Sequence, residues 1–189
     1  MPKIVDHEKY RKELLWKSFD LFASKGYASV TMREIAKELG VSTGTLYHYF
    51  PNKEAIFLQL VEEQYQQEII NFLAEAGDIK YVPERIRALV NFTEKNEEYF
   101  INQILLWSDF YQQQGKSEVL NNEILKQVAQ KMREELLEYL EIQDKTIADF
   151  VVNFLNGLIC VRMFEGEMVS YEEQGELLVK MVSVYLGNG

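Results

Sequence analysis

Two histidines, His7 and His48, one cysteine, Cys160, and thirty carboxylates are the side chains here that could do acid–base, nucleophilic or metal chemistry. Their spacing supports none of it. No G-x-G-x-x-G, no phosphate-binding G-x-x-x-x-G-K-[ST] and no H-E-x-x-H pattern occurs. Neither histidine has sequence neighbours that would build a triad or a metal site, and acids scattered over helices define no paired-carboxylate site. The reading is that the chain is not an enzyme and has no cofactor and no metal. A different chemistry is concentrated at Ser42–Tyr49. On a helix this stretch turns only Leu46 inward, with Phe50 one turn later. Ser42, Thr43, Gly44, Thr45, Tyr47, His48 and Tyr49 stay largely outside. Hydrogen-bonding side chains on a short exposed helix suit the edges and phosphates of a DNA groove.

The elements that must position these residues are legible on either side. Thr31 is placed to cap a helix, and Glu34 three residues later completes a capping box. Ile35, Ala36 and Leu39 recur at helical spacing. Gly40 is a C-terminal stop, Val41 plugs the turn, and Ser42 caps the next helix, about Thr43–Phe50. Pro51 cannot continue that helix, and Asn52 caps another. Two helices joined by a short glycine turn describe a helix-turn-helix, whose second helix enters the major groove.

The run G-T-L-Y-H-Y-F-P-N-K-E at Gly44–Glu54 resembles the most recognisable signature of the TetR family of bacterial transcriptional regulators. So does the upstream pattern F-A-S-K-G-Y followed by T-M-R-E-I-A. The motif resemblance covers about residues 10–60; beyond it only length and an all-helical pattern agree. It implies an all-α fold of about nine helices. Residues 1–52 would form the three-helix DNA-binding domain and 53–189 a larger effector-binding and dimerisation domain. By position, Thr31 and Arg33 resemble family residues that meet phosphate. Ser42, Thr43, Gly44 and Thr45 stand where base edges are read, with Gly44 permitting close approach. Tyr47 and Tyr49 suit phosphates, His48 a base, and Lys53 the DNA backbone; for Tyr49, packing inside the small domain competes.

The implied partners are a palindromic double-stranded operator, a small-molecule effector and a second copy of the chain. The implied activity is repression, released when an apolar or aromatic ligand binds the C-terminal domain. Phe92, Phe100, Leu105, Trp107, Phe110, Tyr111, Phe154 and Met163 could wall a pocket, or could be ordinary core. Asp109 and Glu165 would serve a cationic ligand. Family members pair their last two helices as a four-helix bundle, which points to Phe150, Phe154, Leu158, Leu178, Met181 and Tyr185; closing the monomer core is the alternative. A regulator without a small-molecule ligand, controlled by a protein partner, is the competing function.

Composition fits this reading. The 189-residue chain is 47% hydrophobic, with few breakers and no sustained alternation that would make sheet. Its net charge of −10 divides unevenly, about +2 over residues 1–55 and −12 over the rest. The acidic bulk would be repelled by phosphate and orient the N-terminal part toward DNA, or it simply solvates helix faces. Lys9, Arg11, Lys12 and Lys17 of the first helix, about Asp6–Lys25, could also reach the DNA backbone. Cys160, among Leu158, Ile159 and Val161, reads as a buried inert thiol. The polar start M-P-K-I-V-D-H-E is no signal peptide, and the apolar run Phe150–Phe164 is short and interrupted by Asn153, Asn156 and Arg162. A soluble, cytoplasmic protein without membrane contact is expected. Further helices are expected from Asn52 to about Ala76, from Pro83 with a break near Asn96, over Ser117–Leu140, over Lys145–Glu165 and from Tyr171. Gly157 could permit close helix approach.

Overall fold

A computed structural model of the chain describes residues 6–187; the opening residues of the polar N-terminus lie outside that range. Among the described residues there are ten α-helices and no strand. They are α1 (His7–Lys25), α2 (Met32–Glu38), α3 (Thr43–Tyr49), α4 (Lys53–Ala76), α5 (Val82–Lys95), α6 (Glu97–Gln114), α7 (Lys116–Asn121), α8 (Glu123–Leu140), α9 (Lys145–Glu165) and α10 (Tyr171–Tyr185), with a 3-10 turn at Gly166–Met168.

The local signals explain most boundaries. Asp6 caps α1 by accepting the Lys9 N–H. At Thr31 both halves of the capping box with Glu34 are present, and Ser42 and Ser170 each accept the N–H three residues on. Asn96 separates α5 from α6 and bonds back to the Phe92 carbonyl. The stretch expected as one helix over Ser117–Leu140 is two. Asn122 takes an extended conformation (φ −70°, ψ 118°), and its side-chain oxygen accepts the Leu125 N–H at 3.2 Å. An asparagine that can cap a new helix competes with continuing the old one, and this break raises the helix count above the expected nine.

The chain packs as two compact units, which do not follow the 52/53 boundary read from sequence. The first contains the chain up to Gln66 together with Gln103–Val128; the second contains Gln67–Asn102 and everything from Ala129. Helices α4, α6 and α8 therefore contribute residues to both. In the first unit Leu14, Leu15 and Phe22 of α1, Ile35 of α2, Leu46 of α3 and Phe57 of α4 are all buried. The C-terminal part of α6 joins them because Phe110 stacks on Phe57, ring centroids 3.8 Å apart at 12°. The opposite side of this α6 segment faces outward: Leu105 is 52% and Tyr111 42% exposed.

The second unit has a core of Ile86 and Val90 (α5), Leu140 (α8), Ile147, Val151 and Leu158 (α9), and Tyr171, Leu178 and Val182 (α10). Glu97 ties the start of α6 into this unit. Its carboxylate accepts from the Arg162 guanidinium and from the Tyr171 hydroxyl, and Arg162 also donates to the Val169 carbonyl. The Arg162 hydrogen bond holds the Glu97 carboxyl below the usual carboxylate range, and burial pushes the Tyr171 phenol up to about 12.

Three expectations change here. Leu158 and Leu178 are buried within this unit, so they close the monomer core and are not free for a partner. Cys160 is exposed, because α9 turns that side away from its own unit. The helix and turn at Lys145–Met168 are longer and more apolar than the sequence run suggested. By length and composition they could cross a bilayer: an 18-residue stretch within them has a mean hydropathy of 1.6, and only 28% of it is buried.

Close helix approach occurs at Gly175, while Gly157 has open space around it. A Cβ at Gly175 would lie 2.8 Å from Val90 Cγ1 and 3.2 Å from Cγ2. A β-branched side chain on a neighbouring helix cannot rotate away from both contacts. Gly175→Ala should therefore lower stability by about 1–3 kcal/mol, and adding Val90→Ala should recover part of the loss. Urea melts of the single and double variants measure both; equal stability of G175A and wild type would contradict the packing argument.

Candidate nucleic-acid interface

α3 has only seven residues, too few to be stable by helix propensity alone. Leu46 and Phe50 anchor it by complete burial, and Ser42 caps it. The Ser42 hydroxyl accepts the Thr45 N–H at 3.0 Å and meets the Thr45 hydroxyl at 2.8 Å. Thr43 is half-buried, Gly44 and His48 are exposed, and Tyr47 is 51% exposed. A Cβ at Gly44 would meet only the Ser42 hydroxyl, at 3.8 Å. The fold itself therefore has room for a side chain there. Arg33 is exposed on α2. Thr31 is exposed but engaged: its hydroxyl and backbone N–H both donate to the Glu34 carboxylate at 2.7 and 2.8 Å, and those bonds hold that carboxyl below its ordinary range.

Lys53 departs from its expected role. Its ammonium turns inward, donating to the carbonyls of Tyr27 and Val30 at 2.8 and 2.9 Å, and it lies 4.3 Å from the centroid of the Tyr27 ring. Partial burial pushes its pKa down, with the Asp109 charge the largest opposing influence. Lys53 thus fastens the link between α1 and α2 to the first turn of α4. Arg11, Lys12 and Lys17 of α1 are also engaged, while Lys9 is exposed. Arg11 donates to Gln59 and Glu8, Lys12 pairs with Glu63 at 2.8 Å and Lys17 with Glu13 at 2.8 Å. Tyr49 is half-buried, its ring 5.7 Å from that of Tyr10 and its hydroxyl 2.8 Å from His7 Nδ1.

The sequence reading missed His7, Tyr27 and Asp109 as parts of this region. Asp109 accepts the Ala28 N–H at 2.9 Å across 81 residues of chain. The His7–Tyr49 contact spans 42 residues. Neither pairing leaves a local signature; only the spacing of Gly26 before Tyr27, where the backbone turns at φ 82°, marks the link as special.

The aromatic candidates for an effector pocket divide between the units. In the first, Trp107 is half-buried with its ring 5.9 Å from Phe57, and Phe110 is core. Leu105 and Tyr111 face outward, so they do not wall an enclosed cavity there. In the second, Phe92 and Phe100 are half-buried, ring centroids 6.2 Å apart, and Phe92 also meets Phe72 at 5.3 Å. Phe154 and Met163 are half-buried on α9. For a cationic ligand, Asp109 is occupied by the Ala28 N–H and Glu165 is exposed, so neither is a buried counter-charge in waiting. Of the residues proposed for dimerisation, Phe150 and Phe154 are half-buried, and Met181 and Tyr185 are 48% and 63% exposed.

Comparison with known proteins agrees with this geometry. Residues 14–60 match the family model described as bacterial regulatory proteins, tetR family. The HTH-type transcriptional regulator BetI of Rhizobium meliloti is 24% identical over 98% of this chain and 94% of its own length. Other curated HTH-type regulators match over about half of their own length. Two solved structures share the fold. One is a transcriptional regulator from Saccharomonospora viridis in complex with choline, 19% identical, with a TM-score of 0.68 over 94% of this chain and 97% of that one. The other is FadR from Bacillus subtilis in complex with stearoyl-CoA, 16% identical, with a TM-score of 0.66 over 90% and 96%. Residues 14–60, with their capped and exposed seven-residue helix, thus form a helix-turn-helix domain of the TetR family of bacterial transcriptional regulators.

Proposed function

We propose that this TetR-family regulator is a repressor that binds a palindromic operator as a homodimer and leaves it when a small molecule binds the C-terminal helices. The observation that carries the DNA reading is the exposed group Gly44, Tyr47 and His48, with Thr43 half-buried beside it, on a helix anchored by Leu46 and capped by Ser42. A helix of seven residues reaches few base pairs, so specific affinity calls for two copies on half-sites spaced by roughly 34–36 Å or a multiple. The occupant of the open α9–α10 face is then a second copy. Gly157, Cys160, Val161 and Phe164 on α9 and Leu177, Met181, Val184 and Tyr185 on α10 are all exposed. Phe164, at 87% exposure, would cost about 1.5–3 kcal/mol of lost burial if left in water. This face, closed by a partner helix pair, accounts for α9 without a bilayer, and a cytoplasmic site of action follows from the regulator reading.

An effector with apolar surface fits the Phe72–Phe92–Phe100 run of rings in the second unit. Tyr99, its ring 5.5 Å from that of Phe100, donates its hydroxyl to Glu68 at 2.8 Å. The choline and stearoyl-CoA found in the two fold neighbours make a quaternary ammonium and a fatty acyl chain the first ligand classes to try.

Selection of genomic fragments by the purified protein, read by sequencing, tests the function: enrichment of a few palindromes is expected, and uniform weak binding would contradict it. On the selected site Tyr47→Ala should weaken binding about tenfold, roughly 1.4 kcal/mol, with helicity intact. Lys53→Ala should instead lower the melting point, costing roughly 1–3 kcal/mol through the two carbonyls it leaves unpaired. If K53A kept full stability and lost only DNA affinity, the inward assignment of Lys53 would be wrong. Phe164→Asp combined with Met181→Asp should give monomers in sedimentation analysis; an unchanged dimer would place the interface elsewhere. A ligand present at about a hundred times its Kd should stabilise the protein by about 2.7 kcal/mol, an effect that Phe100→Ala should reduce. No melting shift across cations and acyl chains would favour control by a protein partner.

A further inference from the structure

The two histidines of the chain, 41 positions apart in sequence, meet at the end of α3. The rings of His7 and His48 lie 6.4 Å apart edge to face, and each also lies against Tyr49, at 6.1 and 5.0 Å. His7 Nδ1 is 2.8 Å from the Tyr49 hydroxyl. Both histidines are exposed, and histidine is the side chain that changes charge between about pH 5 and pH 8.

We propose that His7 positions the Tyr49 hydroxyl for DNA and that proton uptake by His7 and His48 tightens operator binding. This inference rests on the DNA-binding reading of α3. Its chemistry follows from donor and acceptor counts. A neutral His7 whose Nδ1 carries no proton accepts the Tyr49 O–H, so the one proton of that hydroxyl points back into the protein. In the imidazolium both ring nitrogens donate. The Tyr49 oxygen must then accept from Nδ1–H, and the hydroxyl proton turns outward, available to a phosphate oxygen. The proton comes from solvent, and no covalent bond changes. The positive charge placed beside the phosphates adds a second favourable contribution, and His48, exposed at the end of α3, adds a third.

The surrounding charges leave room for this. On α1, Asp6 caps the helix, Glu8 is paired with Arg11 at 3.3 Å, and Lys9 is exposed. From α4, Gln59 accepts from Arg11 and Glu63 pairs with Lys12. From α3, the titratable groups are Tyr47, His48 and Tyr49. The nearby carboxylates whose partners are described are thus committed to a cap or to a cation of α1.

Operator affinity measured at constant ionic strength between about pH 6 and pH 8 tests the idea, with helicity checked at each pH. Each proton taken up on binding steepens the dependence by up to about tenfold in affinity per pH unit. Wild type should bind more tightly as pH falls. His7→Gln keeps a polar side chain but cannot titrate, so its slope should be shallower, and His7→Gln with His48→Gln should be nearly flat. Tyr49→Phe should lose affinity mainly at the low-pH end. A merely structural role for His7 would lower affinity equally at every pH; parallel profiles for H7Q and wild type would overturn this inference alone. Absence of specific binding by wild type at any pH would overturn the DNA-binding reading with it.

Discussion

The Tyr27 ring is the contact on which the geometry of the helix-turn-helix depends. It is 1% exposed and packs against Phe22 of α1, Phe57 of α4 and Phe110 of α6 with centroids 5.1–5.5 Å away. Edge-to-face pairs of this kind add about 0.5–1.5 kcal/mol each beyond simple burial. The Lys53 ammonium covers one face of the ring, Gln114 donates to its hydroxyl at 3.2 Å, and burial pushes the phenol above its ordinary range. Gly26 just before it turns with positive φ, and a Cβ there would come 3.0 Å from the Asp109 carboxylate. Three helices far apart in sequence therefore hold one short link. Where that link goes, α2 and α3 follow.

The recognition helix shows why such support is needed. Seven residues make few internal hydrogen bonds, so order must come from caps and anchors. Two hydroxyls, Ser42 and Thr45, are used to close its first turn, and Thr31 is used to close that of α2. Hydroxyls engaged in this way have less to offer a base than side chains free at the surface. On the proposed reading, recognition falls to the exposed Tyr47 and His48 and to the open approach over Gly44. The same economy explains Lys53: at the first turn of α4, near the DNA-facing surface, it satisfies two carbonyls of the α1–α2 link that the helices leave without partners.

The second unit is organised by a different imbalance. α9 carries more apolar surface than its own unit can cover. One side holds Ile147, Val151 and Leu158 in the core, while the side bearing Cys160, Val161 and Phe164 faces outward. α10 is split likewise, with Leu178 and Val182 buried and Met181, Val184 and Tyr185 exposed. Close approach at Gly175 and the Glu97–Arg162–Tyr171 network fix the inner face, so the outer face is presented as a defined surface.

The sequence by itself determined the helical class, the caps at Thr31 and Ser42, the break at Asn96 and the helix-turn-helix. All of these are set by residues within one or two turns of each other, where hydrogen-bond chemistry and helical periodicity act. It also identified Leu46 and Phe50 as the inward residues and Ser42, Gly44, Tyr47 and His48 as exposed, while Thr43, Thr45 and Tyr49 are half-buried. Tertiary structure alone decided the rest. The apolar pattern of α9 is the same whether Leu158 meets its own chain or a partner, and only packing showed it buried with Cys160 outside. A lysine at a helix start reads alike whether it points to phosphate or to a carbonyl, until Tyr27 and Val30 are brought beneath it. His7 and Asp109 gained their roles the same way, by contacts spanning 42 and 81 residues, since periodicity records which face of a helix is apolar but not what comes to lie against it.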